Sequence, residues 1–173
     1  AVSAVHLVSN ACWQAARWCL VADGSWNAPV GSGSDYRLTT GTSFAAPQVS
    51  GALALLAQAF PDLTPHQLRV RLLASAEDDF FTPDDTVELA TGFTKGYSIT
   101  FGHGFLDIAA ALQPIGPTAL ALPGTAKVST EAPVLKTGSA MGDAVALSLA
   151  GREVAVKDAL SASFAMPADA LTA

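Results

Sequence analysis

Residues Thr39–Phe60 read TTGTSFAAPQVSGALALLAQAF. Polar, small residues give way at Ser43 to an almost wholly apolar run. The pattern predicts a helix from about Ser43 to Phe60. It is hydrophobic nearly all round, which predicts a central, buried helix rather than one lying on the surface. Ala45, Ala46, Ser50, Gly51, Ala52 and Ala54 would let neighbouring elements approach closely. Pro47 is tolerated because it lies in the first turn or just beyond, where few amide hydrogen bonds are lost.

Three chemistries fit a serine at this place. A hydroxyl at a helix start, beside a general base, is a nucleophile. The unpaired amides and the positive end of the dipole stabilise an oxyanion there, and Gly41 would allow an unusual turn and a close substrate. Ser and Thr are also the commonest helix N-caps. An anion site is the third reading, though the GK[ST] ending of a phosphate loop is missing.

Outward from this stretch, WCLVADG reads as a short buried strand, and APVGSGSDYRLTTGTS as a loop with a short strand at residues 36–39. PDLTPHQLRVRLLASA carries a T-x-x-Q capping box, Thr64 to Gln67, with Pro65 at the first helical position. Leu68, Leu72 and Leu73 share a face and Arg69 and Arg71 point elsewhere, so an amphipathic surface helix is expected. Residues 77–100 are an acidic excursion with a hairpin near 87–89 and 97–100. FGHGFLDIAAALQP gives a Gly-rich turn and a last short helix, capped near Asp107 and stopped before Pro114. In the tail, alternation around Ala150–Gly151 suggests a β-hairpin, with a helix as the competing reading. The organisation expected is two regions, 1–114 and an Ala-rich linker or extension over 115–173.

The chain has 173 residues, half of them hydrophobic, and a net charge of −6. That is ample for a core, and it argues against a nucleic-acid partner. Glu77, Asp78, Asp79, Asp84, Asp85 and Glu88 read as a solvated acidic loop, since their spacing matches no calcium loop. No metal or cofactor is expected, and no run is long enough for a membrane span. Without an initiating Met or a leader pattern, the sequence reads as a chain that begins inside something longer. Cys12 and Cys19 are too far apart for a C-x-x-C redox motif and too few for zinc; they suggest a short disulfide loop in an oxidising compartment, or else two buried thiols.

GTSFAAPQVSGALALL closely resembles the signature around the nucleophilic serine of the subtilisin-like serine proteases. CLVADG is similar to the strand and turn before that serine, PDLTPHQLRVRLLASA to the next helix, and FGHGFLDIAAAL to the closing segment. The resemblance covers roughly residues 5–114. It implies an α/β fold: the C-terminal portion of a parallel-sheet domain with a buried central helix, plus a mixed C-terminal extension. It implies Ser43 as the acylating nucleophile, its amide as an oxyanion donor, Thr42 as support for that hole and Gly41 as the substrate-side turn. Gln48 stands where many members carry His, and Asp23 where Pro is usual.

The family's order is Asp, His, then Ser, and only about forty residues precede Ser43. No motif for the acid or the base occurs, nor the oxyanion-hole Asn; Asn10 lies too near Ser43. His6 reads as structural and His66 as solvated, and His103 lies in the Gly turn before the last helix; none sits in a base-like context. The expected activity is therefore that of a serine endopeptidase acting on protein or peptide substrates, with Asp and His supplied by the N-terminal part of the same protease and the chain alone inactive. The alternative is a pseudoprotease or complementing fragment that binds a partner chain or peptide. The cysteines and the Ala-rich tail resemble the subtilase-type autotransporters of Gram-negative bacteria; secreted subtilases without a barrel also fit. Either setting is extracellular or at the cell surface.

Overall fold

The structure, a computed structural model, describes residues 5–120, 128–131 and 142–172. Two compact units divide the chain, residues 1–113 and 114–173. The first holds strands β1 (Ser25–Pro29) and β2 (Tyr36–Thr40), helices α1 (Thr42–Ala59) and α2 (Pro65–Ala74), strands β3 (Asp85–Ala90) and β4 (Phe93–Tyr97), and a short helix α3 (Ile108–Ala111).

The expected parallel sheet is not what these residues form. β1 pairs with β2 and β3 with β4, each an antiparallel hairpin, because short loops join consecutive strands. Among the described residues parallel pairing is confined to the bridge between Val21 and Phe105. WCLVADG is likewise no strand: Trp13–Trp18 is a 3-10 helix, and only Val21 pairs. Cys12 and Cys19 close that turn as a disulfide, with their Cα atoms 6.0 Å apart.

Nor is α1 a buried central helix in this chain. Ala52 and Leu56, one turn apart, are its buried residues, whereas Leu55 is 51 % exposed. An all-round apolar helix needs neighbours on every side. Here only the face bearing Ala52 and Leu56 is covered, and Phe60 and Leu63 carry that core on toward α2.

α2 begins as its sequence dictates. Thr64 Oγ1 accepts from the Gln67 amide at 3.3 Å and Gln67 Oε1 from the Thr64 amide at 2.9 Å, with Pro65 at the start. It is not a surface helix, because Leu68, Val70, Arg71, Leu72, Leu73 and Ala74 are all buried. Arg71 lies three residues from Leu68 and shares its face. Its guanidinium sits 4.5 Å over the Phe60 ring, Nε donates to Ala111 O at 2.6 Å, and Nη2 donates to Gln113 O. The buried cation thus meets carbonyls at the C-terminal end of α3, where the helix dipole is negative.

The acidic stretch is wired into the β3–β4 hairpin rather than simply solvated. Glu88 accepts from the Gly92 amide in the turn, Asp84 from Ser98 Oγ and the Ile99 amide, and Asp78 pairs with Lys95 at 3.3 Å. The Thr86 amide and the Tyr97 hydroxyl hold the Asp85 carboxyl below its ordinary range. Lys95 also donates to Ala74 O and Ala76 O at the end of α2. Asp107 caps α3 by accepting from the Ala110 amide at 2.8 Å.

The second unit holds β5 (Ala119–Leu120), β6 (Val128–Ser129), helix α4 (Gly142–Leu149), β7 (Glu153–Lys157) and β8 (Ser163–Pro167), followed by a 3-10 turn. Its sheet runs β6-β5-β7-β8, antiparallel throughout, over Val156, Leu160, Ala162, Ala168 and Leu171. Ala150–Gly151 is the turn from α4 into β7; the hairpin comes one turn later, between β7 and β8. Asp158 organises that turn, its buried carboxylate accepting from the amides of Ile115, Leu160 and Ala162.

Candidate active site

Ser43 is the second residue of α1 and is exposed. Gly41, not Ser43, is the N-cap, and no side chain caps the helix. The reading of Ser43 as an ordinary capping serine therefore fails on position. Thr42 and Ser43 occupy the first two helical positions, whose amides have no carbonyl one turn back to reach. The first turn is closed at Phe44, whose amide donates to Gly41 O at 3.0 Å.

Gly41 has φ 171° and ψ 154°, extended backbone that any residue adopts, so the expected unusual turn is absent. An added Cβ would lie 3.4 Å from Ser43 Oγ, in ordinary van der Waals contact. Gly41 is fixed from outside the helix by its own amide, which donates to Gly24 O at 2.8 Å.

The Asp23–Gly24 turn is therefore part of the site. Asp23 Oδ1 accepts from the Ser25 amide at 2.8 Å, an Asx turn that bends the chain without the usual Pro. Asp23 O accepts from Trp26 Nε1 at 3.3 Å and from Gln48 Nε2. Sequence reasoning had no means of pairing Gln48 with Asp23, 25 residues away; its one signal was that both depart from the family pattern.

Beside the helix start lies an open cleft of about 530 Å3, lined by His6, Val21, Asp23, Thr42, Ala45, Val49 and Phe105 among others. The other two histidines lie elsewhere. His66 is exposed on α2. His103 is fully buried, Nε2 2.9 Å from Arg17 O and Nδ1 3.2 Å from Gly96 O. Burial pushes its pKa down, opposed by the two carbonyls. It ties the cystine turn to β4 and is no base for Ser43. Among the described residues no group of three or more His, Cys, Asp or Glu side chains is placed to hold a metal.

Residues 4–104 match the model of the subtilase family, Peptidase_S8. The chain belongs to that family. This subtilase chain is 32 % identical over 117 residues to serotype-specific antigen 1 of Mannheimia haemolytica, covering 64 % of the chain and 11 % of that protein. It is 37 % identical over 92 residues to fervidolysin of Fervidobacterium pennivorans, covering 53 % and 11 %. Against the Neisserial autotransporter lipoprotein NalP of Neisseria meningitidis it is 33 % identical over 105 residues, covering 61 % and 8 %. The subtilase chain thus spans about a tenth of the length of these relatives. No solved structure matches it.

Proposed function

We propose that Ser43 is the nucleophile of a serine endopeptidase. The observation that carries this reading is an exposed hydroxyl on the second residue of α1, free of any capping role, inside the segment that matches the subtilase family. Ser43 Oγ would attack the scissile carbonyl and form the ester as the C–N bond breaks. Its proton would pass through a base to the leaving amine, and water would then hydrolyse the acyl-enzyme. The Ser43 amide, with Thr42 beside it, would donate to the developing oxyanion. The base and its orienting acid belong to the N-terminal part of the same protease, since neither His66 nor His103 is placed to serve and His6 has no carboxylate partner among the described residues.

Residues 1–114 act in this reading as the C-terminal part of the catalytic domain and 115–173 as an extension. The disulfide and the likeness to an autotransporter lipoprotein support a place outside the cytosol, at or beyond the cell surface. Among the described residues no helix is long and apolar enough to cross a membrane.

The test is a fluorophosphonate probe applied to the full natural protein, read by mass spectrometry. The expected adduct sits on Ser43, with P–F bond cleavage and loss of fluoride, and Ser43→Ala abolishes it. Absence of an adduct in the intact protein refutes the reading. The open sides of α1 favour a second one, a chain that binds its complementing half without catalysis. It predicts co-purification with an N-terminal fragment and no adduct.

A further inference from the structure

Helix α1 is one hydrogen bond short where it carries Ser43. The carbonyl of Ser43 would normally accept from the amide of residue 47, and residue 47 is proline, which has none. The start also lacks a side-chain cap. Something else has to hold this turn if its hydroxyl is to be fixed within the few tenths of an ångström that catalysis needs.

Gln48 meets that need. Its amide nitrogen donates to Phe44 O at 2.7 Å, in the residue after Ser43, and to Asp23 O across the gap to the preceding turn. Both partners are carbonyls, so only the NH2 end can face them, and both of its hydrogens are used. The same Asp23–Gly24 turn holds the helix again through the Gly41 amide on Gly24 O at 2.8 Å. Trp26 Nε1 and the Asx turn on Ser25 fix the turn in its place.

We infer that Gln48 is a positioning residue for Ser43: its side-chain amide fastens the first turn of α1, at the Phe44 carbonyl, to the Asp23 carbonyl and so braces a turn that Pro47 leaves one hydrogen bond short. This rests on Ser43 being the nucleophile. Chemistry selects among the alternatives at position 48. Leucine has the size and no donor. Glutamate presents a carboxylate to two carbonyl oxygens. A neutral histidine has one N–H and satisfies one of the two acceptors.

The experiment measures labelling of Ser43 by a fluorophosphonate in the full natural protein, resolved into half-saturating concentration and rate constant of bond formation. Gln48→Leu lowers the rate constant about tenfold and leaves half-saturation unchanged; Gln48→Glu lowers it further; Gln48→His, with one donor for two acceptors, falls between Gln48→Leu and the wild type. In parallel, hydrogen exchange at the Gly41 amide is faster in Gln48→Leu than in the wild type. The inference is overturned if Gln48→Leu labels at the wild-type rate, if its rate falls only in proportion to the folded fraction, or if Gly41 exchange does not change. A wild type that takes no label at all overturns the Ser43 assignment and this inference together. That outcome is distinct from a labelled wild type with an indifferent Gln48.

Discussion

Replacing Arg71 by alanine separates the structure from any helical-wheel expectation. A charged residue on the outer face of a surface helix costs under about 0.5 kcal/mol to remove. Arg71 is instead fully buried. Its loss strands the buried carbonyl of Ala111, at about 1–3 kcal/mol, and removes the bond to the carbonyl of the exposed Gln113, worth about 1 kcal/mol. It also removes a cation from the face of Phe60, worth about 1 kcal/mol. The sum is about 4 kcal/mol, a large part of the roughly 5–15 kcal/mol that holds a domain folded. Trp13, Trp18 and Trp26 all lie within residues 1–113, so tryptophan fluorescence follows that unit alone. In urea, with a slope of about 2 kcal/mol/M, the midpoint falls by about 2 M. Arg69→Ala is the control: Arg69 is exposed and, among the described residues, its one specific contact is 5.5 Å over Trp18, worth less than about 1 kcal/mol. Equal midpoint shifts for the two variants would refute the buried-clamp reasoning.

Two further outcomes use the same fluorescence transition. Gly102 has φ +61° and its added Cβ would lie 2.3 Å from Cys19 O, so Gly102→Ala costs more than about 3 kcal/mol. Gly92→Ala, at φ +76° with nothing within 4 Å, costs only the left-handed penalty of about 1–2 kcal/mol. His103 supplies a pH dependence. Burial lowers its native pKa, so above about pH 6.5 both folded and unfolded forms are neutral and stability is complete. As pH falls below that, the unfolded chain takes the proton first and stability is lost until the native pKa is passed. Between pH 7 and 5 the midpoint therefore drops more in the wild type than in His103→Gln, and parallel profiles would contradict this.

What was legible in the sequence is what is local. The capping box of α2 needs only Thr64, Pro65 and Gln67, and it forms as written. α1 differs from its expected span by one residue at each end. The tail's competing helix and hairpin are both present, in succession: α4 ends at Leu149 and the strands follow Gly151. Strand β1 was missed because SWNAP has no alternation and ends in proline, and its partner β2 is exposed along its whole length. Arg71 was misplaced because charge was weighed above spacing, although it lies three residues from Leu68. At the site, Ser43 stands out through its motif, whereas the Asp23–Gln48 bond joins two turns that only the folded chain brings together.

The cystine turn has a consequence for the order in which the chain can settle. Its own closure is local, spanning 7 residues. Its clamp is not: Arg17 O meets His103 at a separation of 86 residues, and Cys19 O receives the His103 amide. Val21 in turn waits for Gly104 and Leu106. A chain delivered N-terminus first therefore exposes the ring, the turn at Asp23 and the start of α1 long before FGHGF arrives to lock them. Such long-range closure makes folding slow and late. The segment bearing Ser43 therefore reaches its final geometry only when the last turn of the unit is in place.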